Sequence, residues 1–191
     1  MKVLDRKSEI LNVATNLITE KGYNAVSMRD IAKGMDMKAA SLYNHISGKQ
    51  DILSISILKV AELFTQGMNA VLELEATSTE KLTLLIHLHI DISVNNSGAM
   101  AMMNNDWMHL ENESLSQFLS MRNDYENNFR NIIKRGVSKN ELTDKNIEVI
   151  LFSMLSTLQT MHLWYEKRGK MDVNVLKKEM VDVLLNGVIQ S

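Results

Sequence analysis

The chain has 191 residues, 45% of them hydrophobic and 23% charged, a balance that suits one or two compact domains with a real core. It has no Pro, only 8 Gly and no Cys; few breakers favour long helices over strands joined by tight turns, and the lack of thiols excludes disulfides and thiolate metal sites and fits a reducing, cytoplasmic setting. The net charge of -2 hides an asymmetry: residues 1 to 50 hold 8 Lys and Arg against 5 Asp and Glu, and the rest hold 13 against 18. A basic head on an acidic body points the head at a polyanion.

In chain order, "MKVLDRKSEILNVA" carries charges inside its apolar pattern, so no signal peptide is expected. No apolar run approaches the roughly 18 residues of a membrane span, so no membrane partner is expected. Ile10, Ala14, Leu17 and Ile18 share one helical face over residues 6 to 21, and Gly22 stops that helix. Ser27, three residues before Asp30, reads as a capping box opening a second helix through Lys33. Gly34 ends it, and 35 to 37 turn the chain into a short third helix from Lys38 to His45. Ser47 with Gln50 offers another box, with Gly48 as an equal alternative cap, for a fourth helix through about Leu74. Further helices are expected near 79–96, 98–109, 113–136, 144–167 and 172–189, with breaks at Asn95 to Gly98 and at Arg135-Gly136 and a cap at Thr143 or Asp144.

The second and third helices, joined by three or four residues, form a helix-turn-helix pattern whose joint Ile31, Met37, Leu42 and Ile46 can bury. Lys38, Ala39, Ser41 and Asn44 then face away from that joint, with Tyr43 toward one flank. Ala39 and Ala40 keep the surface low enough for base edges. Ser41 and Asn44 suit bases or phosphates, and Lys38, Tyr43 and Lys49 suit phosphate oxygens. Ser27 and Met28 open the preceding helix, whose amides suit a phosphate. His45 is as fitted to packing as to phosphate contact.

At these residues the chain becomes recognisable. "EILNVATNLITEKGYNAVSMRDIAKGMDMKAASLYNHISGKQDIL" closely resembles the DNA-binding domain of TetR-family transcriptional regulators, through "EKGY", "SMRDIAK", "SLYNHI" and Lys49, over residues 6 to about 55. The resemblance implies recognition by the 38 to 45 helix and phosphate contacts at Ser27, Tyr43 and Lys49. Five positions depart from the pattern: Asp36 for a turn Gly, Lys38-Ala39 for Ser-Lys, Asn44 for His and Gly48 for Ser. Asp tolerates a left-handed backbone, so the turn survives.

The same resemblance implies a homodimer built on the last two helices. Apolar residues at Leu151, Met154, Leu155 and Leu158, then Met180, Val183 and Leu184 with Gly187 in the stripe, are the expected interface; the alternative is that both helices only cover their own core. The middle helices gather Met and aromatic side chains, a composition suited to a pocket for an apolar guest or to a Met-rich core. The expected lining is Phe64, Met68, His87, Met103, Trp107, Phe118, Met121, Arg122, Tyr125, Phe129 and Met161. "RNDYENNFRNIIKRG", "LWY" followed by Gly169, and "LLNG" resemble the acyl-CoA-responsive subset of the family, which implies an elongated apolar tunnel with Arg122 or Arg130 near a thioester's phosphates.

His87 and His89 lie about 200° apart on a helix and cannot share a metal, and no nucleophile elbow, P-loop, dinucleotide turn or HExxH occurs. No metal, cofactor or catalytic residue is expected. The expectation is an all-α protein: a helix-turn-helix domain over 1–48 joined to a ligand-binding and dimerisation domain over 49–191. It would act as a repressor that holds a palindromic operator in double-stranded DNA and is released by a small apolar ligand. The alternative is a carrier of hydrophobic molecules without DNA binding.

Overall fold

A computed structural model describes residues 5–167 and 171–186. Among them the chain forms nine α-helices and no strand: α1 (Arg6–Lys21), α2 (Met28–Gly34), α3 (Ala39–Leu42), α4 (Lys49–Glu73), α5 (Ser78–Asn95), α6 (Ser97–Asn105), α7 (Asn112–Ser138), α8 (Ile147–Lys167) and α9 (Val173–Leu185), with 3-10 turns at Tyr23–Ala25 and Trp107–His109. Packing divides the chain into two compact units. One holds the chain up to Val60 together with Gly98–Phe118, and the other holds Ala61–Ser97 and the chain from Leu119 onward.

In the first unit, Asp5 caps α1 by accepting from the Ser8 N–H at 2.8 Å. Gly22 stops the helix at φ 83, a backbone that side chains disfavour. Ser27 and Asp30 make the expected capping box on α2. Asp36 turns the chain at φ 51, as its tolerance of that region allows. Ile10, Ala14, Ile18, Ile31, Leu42 and Ile46 are buried at the centre. Gly98 brings α6 against α1: a Cβ there would lie 2.7 Å from Thr15 Cγ2.

Two local expectations change here. The third helix is one turn, Ala39–Leu42, not 38 to 45. Its start at Lys38 has no side-chain cap, and beyond Leu42 the amides of Asn44 and His45 bond three residues back, to Ser41 and Leu42, as a tight turn. The Ser47–Gln50 box does not form: the Ser47 N–H donates to Asp51 Oδ2 at 3.0 Å, while Gln50 Nε2 donates to the carbonyl of His109 at 2.6 Å and to Glu111 Oε1 at 3.1 Å.

The second unit is built on α5, α7, α8 and α9. Thr77 and Glu80 cap α5 reciprocally. Leu82, Leu85, Ile86 and Ile90 of α5 pack with Phe129, Ile132 and Ile133 of α7, Leu151, Met154, Leu155, Leu158 and Met161 of α8, and Leu176 and Leu185 of α9. Gly136 does not break α7, which continues to Ser138; a Cβ there would meet Leu142 at 2.6 Å and Ser78 at 2.9 Å, so the glycine serves close packing. The chain reverses at Asn140, φ 56. Asn146, rather than Thr143 or Asp144, caps α8, accepting from the N–H groups of Glu148 at 2.9 Å and Val149 at 3.3 Å; Asp172 caps α9.

Candidate functional site

The helix-turn-helix face is positioned from beneath by Leu42 and Ile46, 0% and 1% exposed. Anchored there, Lys38, Ala40, Tyr43, Asn44 and His45 stand exposed, while Ala39, Ser41 and Met28 are half-buried. Tyr43, Asn44 and His45 belong to the turn after α3 and not to the helix. Arg29, Lys33 and Lys38 bring three cations, against the one carboxylate of Asp36, to a shallow recess also lined by Ala32, Met37 and Ala39. Ser27 is exposed, but its hydroxyl donates to Asp30 Oδ2 at 2.6 Å. The same hydrogen bonds hold the Asp30 carboxyl below its ordinary range.

Lys49 is held from within the unit. Its ammonium donates to the carbonyls of Tyr23 at 2.8 Å and Val26 at 3.0 Å and lies 4.1 Å from the centre of the Tyr23 ring. His109 stacks on that ring, centroids 5.0 Å apart. Tyr23, His109 and Gln50 thus tie the 3-10 turn at Trp107–His109 to the helix-turn-helix core, and sequence spacing gave no sign of it. Trp107 and Phe118 pack together at 5.9 Å, with Met103 half-buried nearby in the chain; these three expected lining residues belong to the first unit.

The other eight lie in the second unit, where a compact aromatic group forms. Phe64 lies 4.6 Å from the His89 ring and 5.6 Å from Tyr125, and Tyr125 lies 6.3 Å from Phe129. The Tyr125 hydroxyl and His89 Nε2 are hydrogen-bonded at 2.9 Å. Burial pushes the His89 imidazole down to about 3 and raises the Tyr125 phenol, so both are neutral near pH 7. The expectation named His87 and missed His89, although the pattern held a clue: His89 continues the Leu82, Leu85, Ile86 face at helical spacing. His87 instead borders a surface recess with Asn174, Lys177, Lys178 and Val181, and burial, then Lys177, lowers its pKa. Met68 and Met161 are buried, and Met121 and Arg122 are half-buried. Arg130 is committed to Glu148 at 2.6 Å and to Asn127 at 2.7 Å.

Of the expected interface residues, Leu151, Met154, Leu155 and Leu158 are buried in the subunit's own core, so they supply no free face on the isolated chain. Met180 and Leu184 are half-buried against that core, and Val183 is 69% exposed. Gly187 and Gly169 lie outside the described residues. The apolar side chains exposed on α8 are Val149, Phe152, Leu163 and Trp164.

The profile of the family described as "Bacterial regulatory proteins, tetR family" matches residues 10–54, and that described as "Tetracyclin repressor-like, C-terminal domain" matches residues 75–188. The chain belongs to the TetR family. It is therefore a transcriptional regulator of a non-enzymatic family with a helix-turn-helix head. Among curated TetR regulators it is 22% identical to the HTH-type transcriptional repressor KstR2 of Rhodococcus jostii, over 96% of this chain and 91% of that one. The solved structure of the ketosteroid transcriptional regulator KstR2 of Mycobacterium tuberculosis superposes with a TM-score of 0.92 at 17% identity, over 100% and 98% of the two chains. AibR, solved in complex with isovaleryl coenzyme A and operator DNA, superposes at 0.79 with 22% identity, over 94% and 97%. At such identities the structural likeness fixes the TetR fold. No described helix is long and apolar enough to cross a membrane.

Proposed function

We propose that this regulator is a homodimeric repressor that binds an inverted-repeat operator and is released by a small apolar effector. Residues 1–48 would read the DNA, and 49–191 would take the effector and the second copy. The observation that carries the reading is the exposed face of Lys38, Ala40, Tyr43, Asn44 and His45 over the buried Leu42 and Ile46. It is shallow, polar and cationic on one side, the chemistry that enters a major groove. Lys38, Tyr43 and His45 would meet phosphates, and Ala39, Ala40, Ser41 and Asn44 base edges. Ser27 and Met28 sit where α2 would approach the backbone, and Lys49 would hold Tyr23 in place.

Support for a twofold partner comes from Val149, Phe152, Ser156, Thr160 and Leu163, which recur every three or four residues along α8 with Val149, Phe152 and Leu163 exposed. Together with Val183 of α9 they form an apolar stripe with small residues at its middle, which suits close helix packing against a second copy. Met180 and Leu184 would flank it. The effector would lie among Phe64, Met68, Met121, Tyr125, Phe129 and Met161, with Arg122, one turn from Tyr125 on α7, near any phosphates. Fatty acyl-CoA is the proposed class. AibR, solved with isovaleryl coenzyme A and operator DNA, adds support by analogy for the ligand class, and KstR2, named a transcriptional repressor, for repression.

A fluorescence-anisotropy titration of the DNA beside its own gene, at fixed salt, tests the reading. Nanomolar binding, lost on adding a long-chain acyl-CoA and weakened at least tenfold by Tyr43→Ala, is expected. Binding that ignores Tyr43→Ala, or no binding to any such fragment, overturns it in favour of a carrier of apolar molecules.

A further inference from the structure

His89 and Tyr125 meet inside the second unit with their proton inventory unbalanced. A neutral imidazole has one N–H and a phenol one O–H. Their 2.9 Å hydrogen bond consumes one of these two donors, whichever tautomer is present. One donor is therefore left over: Nδ1–H if the phenol donates to Nε2, or the phenol O–H if Nε2 donates to the phenol. Among the described residues His89 Nδ1 has no hydrogen-bond partner. The Ser93 hydroxyl, one turn along α5, likewise has none. The two side chains are 3% and 1% exposed, so bulk solvent cannot satisfy them, and a buried donor without an acceptor is costly. Around them stand Phe64 and Phe129.

We infer that His89, Tyr125 and Ser93 form the polar subsite of the effector pocket, and that it takes a neutral carbonyl oxygen carried on an otherwise apolar ligand. The inference deepens the proposed effector reading and rests on it. A carbonyl oxygen supplies acceptor lone pairs and no donor, which is what a surplus N–H or O–H and a free hydroxyl require. A carboxylate would have to be buried beside two groups that burial itself keeps uncharged, at a large desolvation cost. A plain hydrocarbon would leave the surplus donor unmet. The subsite therefore separates a ketone, ester or thioester from the free acid and from the alkane of the same length.

Binding of decane, 2-decanone and decanoate to the full-length protein, measured by titration calorimetry at pH 7.5, tests this. The ketone should bind about tenfold or more tightly than decane, since a site with unpaired donors discriminates against the ligand that cannot meet them, and decanoate should bind no better than decane. Each single variant, His89→Phe or Tyr125→Phe, still leaves one donor of the pair beside the Ser93 hydroxyl and should keep most of the preference. The double variant leaves only the Ser93 hydroxyl and should keep less; adding Ser93→Ala leaves no donor, and the ratio should fall to near one. Replacing both partners with apolar rings is the change a core tolerates best; circular dichroism checks that it folds. If it does not, nitrogen chemical shifts of His89 in the 15N-histidine-labelled wild type give the second readout: they should move with 2-decanone and stay with decane. Equal affinity for decane and ketone, binding of neither, or preference for decanoate overturns the inference. Ketone binding that leaves operator affinity unchanged counts against the effector switch and keeps the subsite; operator release by acyl-CoA without a carbonyl preference does the reverse.

Discussion

Lys49 shows what one side chain's spacing reveals and what it conceals. The sequence places a cation after the helix-turn-helix, but its two carbonyl partners lie 26 and 23 residues earlier and no periodicity reports them. Ser27 was legible because its partner is three residues away. Ser27→Ala should cost about 1 kcal/mol of stability, the usual worth of an N-cap, read as a lower thermal midpoint. At His89 the consequence is pH dependence. Its folded pKa, about 3, lies below the roughly 6.5 of an unfolded histidine, so below that pH the unfolded chain binds a proton the folded chain refuses. Stability should fall as pH drops from about 6.5 toward 3, by at most about 1.4 kcal/mol per pH unit. In His89→Phe/Tyr125→Phe that share of the slope should be gone; denaturant titrations at pH 7, 6 and 5 measure it.

Helix existence was readable almost throughout, because apolar periodicity is local and the Ser27–Asp30 box marks its own terminus; the Thr77 and Asp172 caps emerge only in the structure. Helix facing was less so. On α8 two apolar stripes run side by side, and periodicity alone cannot say which one the subunit keeps. The structure buries Leu151, Met154, Leu155 and Leu158 and leaves out Val149, Phe152 and Leu163. The two stripes predict opposite outcomes. Phe152→Glu should shift the protein toward monomer in sedimentation velocity while leaving the subunit's melting little changed. Leu158→Ala, at 0% exposure, should cost about 2–5 kcal/mol of stability through the cavity it opens. Gly136 was misread as a break for a related reason: the sequence marks a glycine, but only the packed Leu142 and Ser78 say it serves close approach.

For the whole chain, the sequence supplied the all-α class and the family; the described helices bear out the class, and the profile matches over 10–54 and 75–188 bear out the family. Distant pairings within each unit were beyond it. The charge asymmetry predicts a salt signature. If Lys38 meets a phosphate in each of two half-sites, Lys38→Ala should reduce the slope of log affinity against log salt by about 2 per dimer, roughly 1 per lost contact. Anisotropy titrations between low and physiological salt read it directly, and an unchanged slope would remove Lys38 from the contacts.

The stacking of His109 on Tyr23, with Gln50 bonded to the His109 carbonyl, bears on dissection. A fragment ending at Val60 omits that cover, leaves one face of the Tyr23 ring bare and strands the Gln50 amide. Grafting this head onto another regulator would therefore require transplanting residues 98–118 from the same parent, or redesigning the ring's new neighbours.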